Sequence, residues 1–260
     1  MPRPDNGPLL AIVAALPEEL APLRRRLRAP RRALAGGLEA VLGTLGGASV
    51  VTMMTGDGRR AAERGVETLL DAYEPEALIG IGVAGALTRD LSRGTLLAGL
   101  VRDEDGVATA PDPVWLARAR EAGARAGTLV TSREVLTSPA RKSSLLATLG
   151  ASGPAAVDME SIFWARAAAS RGVPWVVVRA ISDRCDEELP EFLSRCVSPG
   201  GGVDRARVAR HALRNPRVVP DLLRLKKRVS ECAERLAQLA EALAAAPPRR
   251  ARALRAGEAG

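Results

Sequence analysis

Apolar residues fall in short blocks along this chain, separated by stretches in which they recur every three or four positions. The blocks "LLAIVAA" (9–15), "ASVVTMM" (48–54), "ALIGIGV" (77–83), "TLLAGLV" (95–101), "GTLVT" (127–131) and "PWVVVRAI" (174–181) have the length and β-branched content of strands. Helical spacing marks 17–28, 58–73, 112–125, 139–149, 159–171 and 205–214. Apolar strands alternating with helices predict an α/β layered fold around a largely buried sheet. No internal repeat is visible.

Towards the C-terminus the pattern changes. Leu222, Leu225, Val229, Cys232, Leu236, Leu239 and Leu243 are spaced alternately by three and four, which makes one apolar seam on a long helix. Packing against its own domain is the plain reading. A subunit contact and a membrane-surface contact are the alternatives.

Composition narrows the class. With 260 residues, 47% hydrophobic and 26% charged, the chain can bury a sizeable core and lacks the low hydrophobicity of a disordered protein. No apolar run reaches the ~18 residues of a membrane span and "MPRPDNGPLL" lacks a signal peptide's apolar stretch, so a cytoplasmic location is expected. Cys185, Cys196 and Cys232 form no CxxC pair and His211 is the one histidine. Neither a metal site, nor a disulfide framework, nor a His-activated nucleophile is therefore expected. The net charge of +8 is concentrated after residue 204, yet aromatics are only 2%, so base-stacking platforms are scarce. A solvated basic surface is the simpler account, and no nucleic-acid partner is expected.

Three stretches carry candidate chemistry. "GIGVAG" (80–85) fits GxGxxG, but only "ALTRDLSR" separates it from Gly94, too little for a crossover helix. It reads as a glycine-rich loop approached by a small ligand, with no nicotinamide cofactor. In "AIVAALPEEL" (11–20), Pro17 suits a first helical turn, and the helix dipole alone would favour Glu18 and Glu19 behind it. In "AVDMES" (156–161), Asp158 can cap a helix and Glu160 sits in its first turn. From there a carboxylate can accept hydrogen bonds from two vicinal hydroxyls.

That helix turns at Gly172-Val173-Pro174 into a strand that ends in Arg179, Ser182 and Asp183. These are either the polar exit of the strand or the mouth of a site. Helix and returning strand have similar lengths, so Glu160 and Asp183 can share one sheet edge, with Glu19 at another strand's end. Such carboxylates, without histidine or metal, suit acid–base catalysis on a hydroxylated, nitrogen-bearing substrate.

The stretches "AIVAALPEEL", "TGDGRRAAERGVETLL", "IGVAGAL…RGTLL", "VDMES" and "GVPWVVVRAISD" resemble, in order and spacing, the nucleoside phosphorylase and nucleosidase superfamily that includes methylthioadenosine/S-adenosylhomocysteine nucleosidase. "VDMES", "RAISDRCDEELP" and the extension "PGGGVDRARVARHALRNPRVVPDLLRL" look most like its hopanoid-associated members, which act on adenosylhopane. The resemblance implies a three-layer phosphorylase-type fold, a central mixed sheet flanked by helices, with a C-terminal helical extension. It divides the chain into an arm (1–8), a catalytic domain (9–200), the extension (201–246) and a disordered basic tail (247–260).

It further implies release of adenine by cleavage of the N-glycosidic bond of a 5′-modified adenosine, an adenosylhopane-type substrate first, without a cofactor, by a homo-oligomer. The alternative is a methylthioadenosine/S-adenosylhomocysteine nucleosidase or another purine nucleoside phosphorylase of nucleoside salvage. Asp183 would share a proton with purine N7, and Ser182 would hold that carboxylate. Glu160 would bind the ribose hydroxyls with Met159 against the sugar. Val83, Ala84 and Gly85 would lie along the ribose. Glu19, with Arg179 nearby, would activate water. Arg59 and Arg60, behind "GDG" at a helix start, could instead hold phosphate as the nucleophile. The relatives' base-stacking aromatic has no counterpart in "TSREVLTSPARK" (131–142), where Val135 or Leu136 could supply an apolar wall.

Overall fold

Strands that are apolar at every position need cover on both faces. The computed structural model describes residues 9–150, 153–196 and 204–245, and it supplies that cover. The predicted arm (1–8), the basic tail (247–260) and the predicted boundary at 200 lie outside the described residues.

The chain begins with β1 (Leu9–Ala14), α1 (Pro17–Arg26), β2 (Arg28–Ala35), β3 (Leu38–Leu45), β4 (Ala48–Met54) and α2 (Arg59–Tyr73). It continues through β5 (Ala77–Ala86), β6 (Leu96–Asp103), β7 (Ala108–Thr109), α3 (Pro113–Glu121), β8 (Arg125–Thr131) and α4 (Pro139–Leu149). Then follow β9 (Ala155–Asp158), α5 (Ser161–Ser170), β10 (Trp175–Asp183), α6 (Phe192–Arg195), α7 (Arg205–Arg214) and α8 (Val219–Ala245). All six predicted helices are present. The first and the third are shorter than expected, because Arg28 and Arg125 already open strands.

Ten strands form one mixed sheet: nine follow the order β10-β6-β8-β9-β5-β1-β4-β3-β2, and β7 pairs with β6 off this path. β5 also pairs with β10, so β5, β10, β6, β8 and β9 close on themselves, while β1, β4, β3 and β2 run outward as a wing. β2 and β3 are joined through Gly36 and Gly37, whose φ of 54° and 79° suit glycine in a tight hairpin turn.

Side-chain alternation decides which helices cover which face. On β1, Leu9, Ala11 and Val13 join one core with α2 and α5, through Val66, Leu69, Ile162 and Trp164. Leu10, Ile12 and Ala14 join a second core with α1, α3 and α8. β10 obeys the same rule: Trp175, Val177 and Ile181 face α5, and Val176, Val178 and Ala180 face α8. This is a three-layer α/β fold with a C-terminal helical extension.

In the second half of α8 the seam packs inward. Cys232, Leu236, Leu239 and Leu243, with Ala233, Ala237 and Ala240, are buried against α1 and the sheet. Those side chains face the protein's own core, which corrects the membrane-surface alternative for this part of the seam. Leu222 and Leu225 instead pack on a small cluster around Phe192 and Leu193. There His211 stacks on the Phe192 ring at 4.2 Å. Among the described residues no helix is long and apolar enough to cross a membrane.

Candidate active site

The carboxyl ends of β1, β5, β8, β9 and β10 meet around one cavity of about 170 Å³. Glu19, Val83, Ala84, Gly85, Met159, Glu160, Ser182 and Asp183 all line it. Val135 and Leu136 contribute an apolar wall where no aromatic is available, and Asp57 and Leu189 complete the rim. The carboxylates therefore converge at the carboxyl ends of the strands, where the sheet closes on itself.

Parity explains what stands behind the cavity. Arg179 shares the α5-facing side of β10 with Val177 and Ile181, so its side chain enters the core and is fully buried. A buried guanidinium needs partners. Nε lies 2.8 Å from Asp158 Oδ2 and donates to Ser161 Oγ at 3.0 Å, and Nη2 donates to Glu160 Oε2 at 3.4 Å. The guanidinium also lies over the Trp164 ring, 4.8 Å from its centroid. Arg179 is thus absent from the cavity wall and grips the acids that form it.

The "GIGVAG" stretch lies within strand β5, which corrects the glycine-rich loop. Its glycines admit protein side chains. A Cβ at Gly82 would stand 2.0 Å from Arg179 Nη1 and 2.9 Å from Glu19 Oε1. One at Gly85 would stand 2.9 Å from Asp183 Oδ2.

Each acid is held differently. Glu19 reaches back from α1 so that Oε2 accepts from the Ala15 and Leu16 amides at 3.1 and 2.9 Å, while Oε1 accepts from Val83 at 2.9 Å. Burial raises its pKa, with the Arg179 charge and these three amides opposing. Glu160 is the N-cap of α5, one step before the expected first turn. Its Oε1 accepts from the Gly58 amide at 3.1 Å. Burial pushes Glu160 up to about 8, against the pull of Arg179 and with the nearby Asp158 carboxylate adding to the rise.

Asp158 does more than cap a helix. Its Oδ1 accepts from the Glu160 and Ser161 amides at 3.2 Å each and from Thr131 Oγ1 at 2.9 Å, while its other oxygen pairs with Arg179. Asp183 follows a register shift after Ile181 in the β10–β5 pairing, an irregularity of the kind that re-aims a strand's tip. Ser182 Oγ donates to Asp183 Oδ1 at 2.6 Å, and the Lys142 ammonium donates to Oδ2 at 2.6 Å. Lys142 has no place in the sequence reading.

Arg59 and Arg60 are exposed and lie outside the cavity. Arg59 pairs with Glu63 and lies over Phe163, and the Gly58 amide at that helix start already serves Glu160. Among the described residues no group of three His, Cys, Asp or Glu is placed to hold a metal, and the three cysteines are unpaired.

A model of the phosphorylase superfamily matches residues 9–214. The chain belongs to that superfamily. As a member it is an enzyme that breaks N-glycosyl bonds, of the nucleosidase and phosphorylase kind. Curated superfamily relatives include the 5′-methylthioadenosine/S-adenosylhomocysteine nucleosidase of Shewanella pealeana, 27% identical over 205 residues, 70% of this chain and 88% of that one. The Shewanella baltica protein of the same name is 27% identical over 216 residues, 74% of this chain and 91% of its own.

Among solved superfamily structures, the S. pneumoniae nucleosidase with a transition-state inhibitor aligns with a TM-score of 0.71 at 20% identity, over 91% of this chain and 98% of that one. The futalosine hydrolase of Helicobacter pylori aligns with a TM-score of 0.71 at 18% identity, over 91% and 97%. At these identities the structures establish the fold.

The relatives overturn the narrower hopanoid-associated resemblance and its adenosylhopane-type substrate. The physical reason lies in two features. The apolar seam, which as a membrane-surface contact would have suited a lipid-like substrate, is spent largely on the core. The larger groove of about 610 Å³ that shares Leu189 with the cavity is walled by Arg141, Arg224, Arg228, Glu188, Glu191 and Asp221, a poor bed for a triterpenoid.

Proposed function

We propose that the protein is a nucleosidase that hydrolyses the N-glycosidic bond of adenosines carrying a 5′-thioether, of the methylthioadenosine and S-adenosylhomocysteine kind, and releases adenine. The observation that carries this reading is the convergence of Glu19, Glu160 and Asp183 on one small cavity, together with the names of the curated relatives. Cleavage passes through a cationic ribose, and the oxygen-lined wall that these acids make around the sugar favours that charge as it develops.

In this reading Asp183 gives its proton to purine N7 as the C1′–N9 bond breaks with its electron pair going to the base. Ser182 orients the carboxyl group. Glu160 accepts from the ribose hydroxyls, Met159 and the Val83–Gly85 strand end pack along the sugar, and Glu19 takes the proton of the water that adds to C1′. Arg179 holds Glu160 through Nη2. Water is favoured over phosphate because Arg59 and Arg60 sit outside the cavity and the adjoining helix-start amide is occupied. Residues 9–200 with α8 serve as the catalytic unit, in a homo-oligomer.

The test is adenine release by purified protein from methylthioadenosine, from S-adenosylhomocysteine and from a long-chain apolar 5′ analogue, with and without phosphate. Release from the two thioethers in phosphate-free buffer is expected. Strict dependence on phosphate, or preference for the apolar analogue, would sink the reading.

A further inference from the structure

α4 carries an apolar stripe that includes Leu145, Leu146 and Leu149, and Lys142 sits on the same stripe, one turn earlier. Its side chain is 1% exposed. An ammonium is costly to bury unless every N–H finds an acceptor. Lys142 has three N–H bonds and three acceptors: Asp183 Oδ2 at 2.6 Å, the Arg184 carbonyl at 2.7 Å and the Glu187 carbonyl at 3.3 Å. With Ser182 Oγ donating to Oδ1, both oxygens of Asp183 are engaged by the protein and the plane of the carboxyl group is fixed. One further bond, from the Leu189 amide to the Thr137 carbonyl at 2.8 Å, ties the start of α4 to the segment that follows Asp183.

Stability alone gives little reason for this pair, since a well-packed apolar residue would serve as well as a buried ion pair. Its place against Asp183 gives a better one. We infer that Lys142 is a positioning residue for Asp183: it sets the carboxyl group against the purine and meets the negative charge left there once the proton has passed to N7. This rests on the reading of Asp183 as the acid. In that step the proton leaves Asp183 for N7, the C1′–N9 electron pair goes to the purine, and Lys142 remains an ammonium throughout. The water proton taken by Glu19 balances the one Asp183 gives up, so the net change is the addition of one water.

Lys142 then acts only through Asp183, which a double-mutant cycle reads directly. Adenine release from methylthioadenosine is measured for the wild type, Lys142→Met, Asp183→Asn and the double variant. Lys142→Met is expected to lower kcat about 100-fold, within the range of general-acid assistance, while KM stays within about threefold. In the Asp183→Asn background the same substitution should cost nothing further. A residue with a merely structural role would lower the rate by the same factor in both backgrounds, and that result overturns the inference. So does a Lys142→Met enzyme within about threefold of wild-type kcat. The double variant buries no unpaired charge, and Lys142→Gln, which keeps two donors, takes the place of methionine if the single variant does not fold. A wild-type protein that releases no adenine removes the underlying function, and this inference with it. An active wild type with multiplying losses removes this inference alone.

Discussion

Glu160 ionises far from the ordinary carboxylate range. Burial carries it from the usual 4.5 to about 8. The folded protein therefore keeps a proton that the unfolded chain has lost between those values. Stability falls as pH rises through that window, and the loss is complete above about pH 8. Glu160→Gln removes the slope. The variant should become increasingly more stable than wild type as pH goes from 5 to 9, by on the order of a few kcal/mol, which thermal melts across that range would read. Parallel melting curves across that range would contradict the assignment. Glu19, raised in the same direction, adds to the wild-type slope. The sequence placed Glu19, Glu160 and Asp183 at strand and helix ends, where period and capping signals are strong. It left Lys142 unread, because "SPARKSS" looks like any solvated helix start. The available signal was its i, i+3, i+4, i+7 relation to Leu145, Leu146 and Leu149.

Among the elements, α8 shows how an apolar period becomes packing. Leu236 is fully buried between α1 and the sheet. Leu236→Ala should cost about 2–5 kcal/mol and lower the Tm by about 10 °C. A change under about 2 °C in a thermal melt would mean that the helix is not part of the core. The helices were legible within a few residues because most bury one face, and even α7, with none of its described residues buried, turns Val208 and His211 toward Phe192. The hairpin of β2 and β3 was not, since β2 reads "RAPRRALA" and is exposed over most of its length, leaving no alternation to detect. β9 escaped too, because four residues are too short a run to carry a period. β5 was found but its end was misjudged. Gly82 and Gly85 look like loop residues, and only the tertiary approach of Arg179 and Asp183 explains them.

At the scale of the whole molecule, the sheet has a closed part and an open part. β5 and β10 pair along eight positions inside the closed part, covered on both faces. Their amides at Ile79, Ile81, Val176 and Val178 should exchange with solvent only through global unfolding, while those of β2 exchange by local opening. Hydrogen-exchange mass spectrometry reads this, and equal rates in the two regions would contradict it. On that outcome the candidate site rests on the part of the molecule that opens last. The wing ends in β2, whose outer edge is open to solvent and could in principle accept a strand from a neighbouring molecule. Arg28, Arg31 and Arg32 are exposed along it, and Pro30 has no amide hydrogen to offer. Like charges and a missing donor are an effective guard against edge-to-edge aggregation. That edge should keep concentrated protein dispersed, and replacing its arginines with threonine or valine should turn it into a template for fibres.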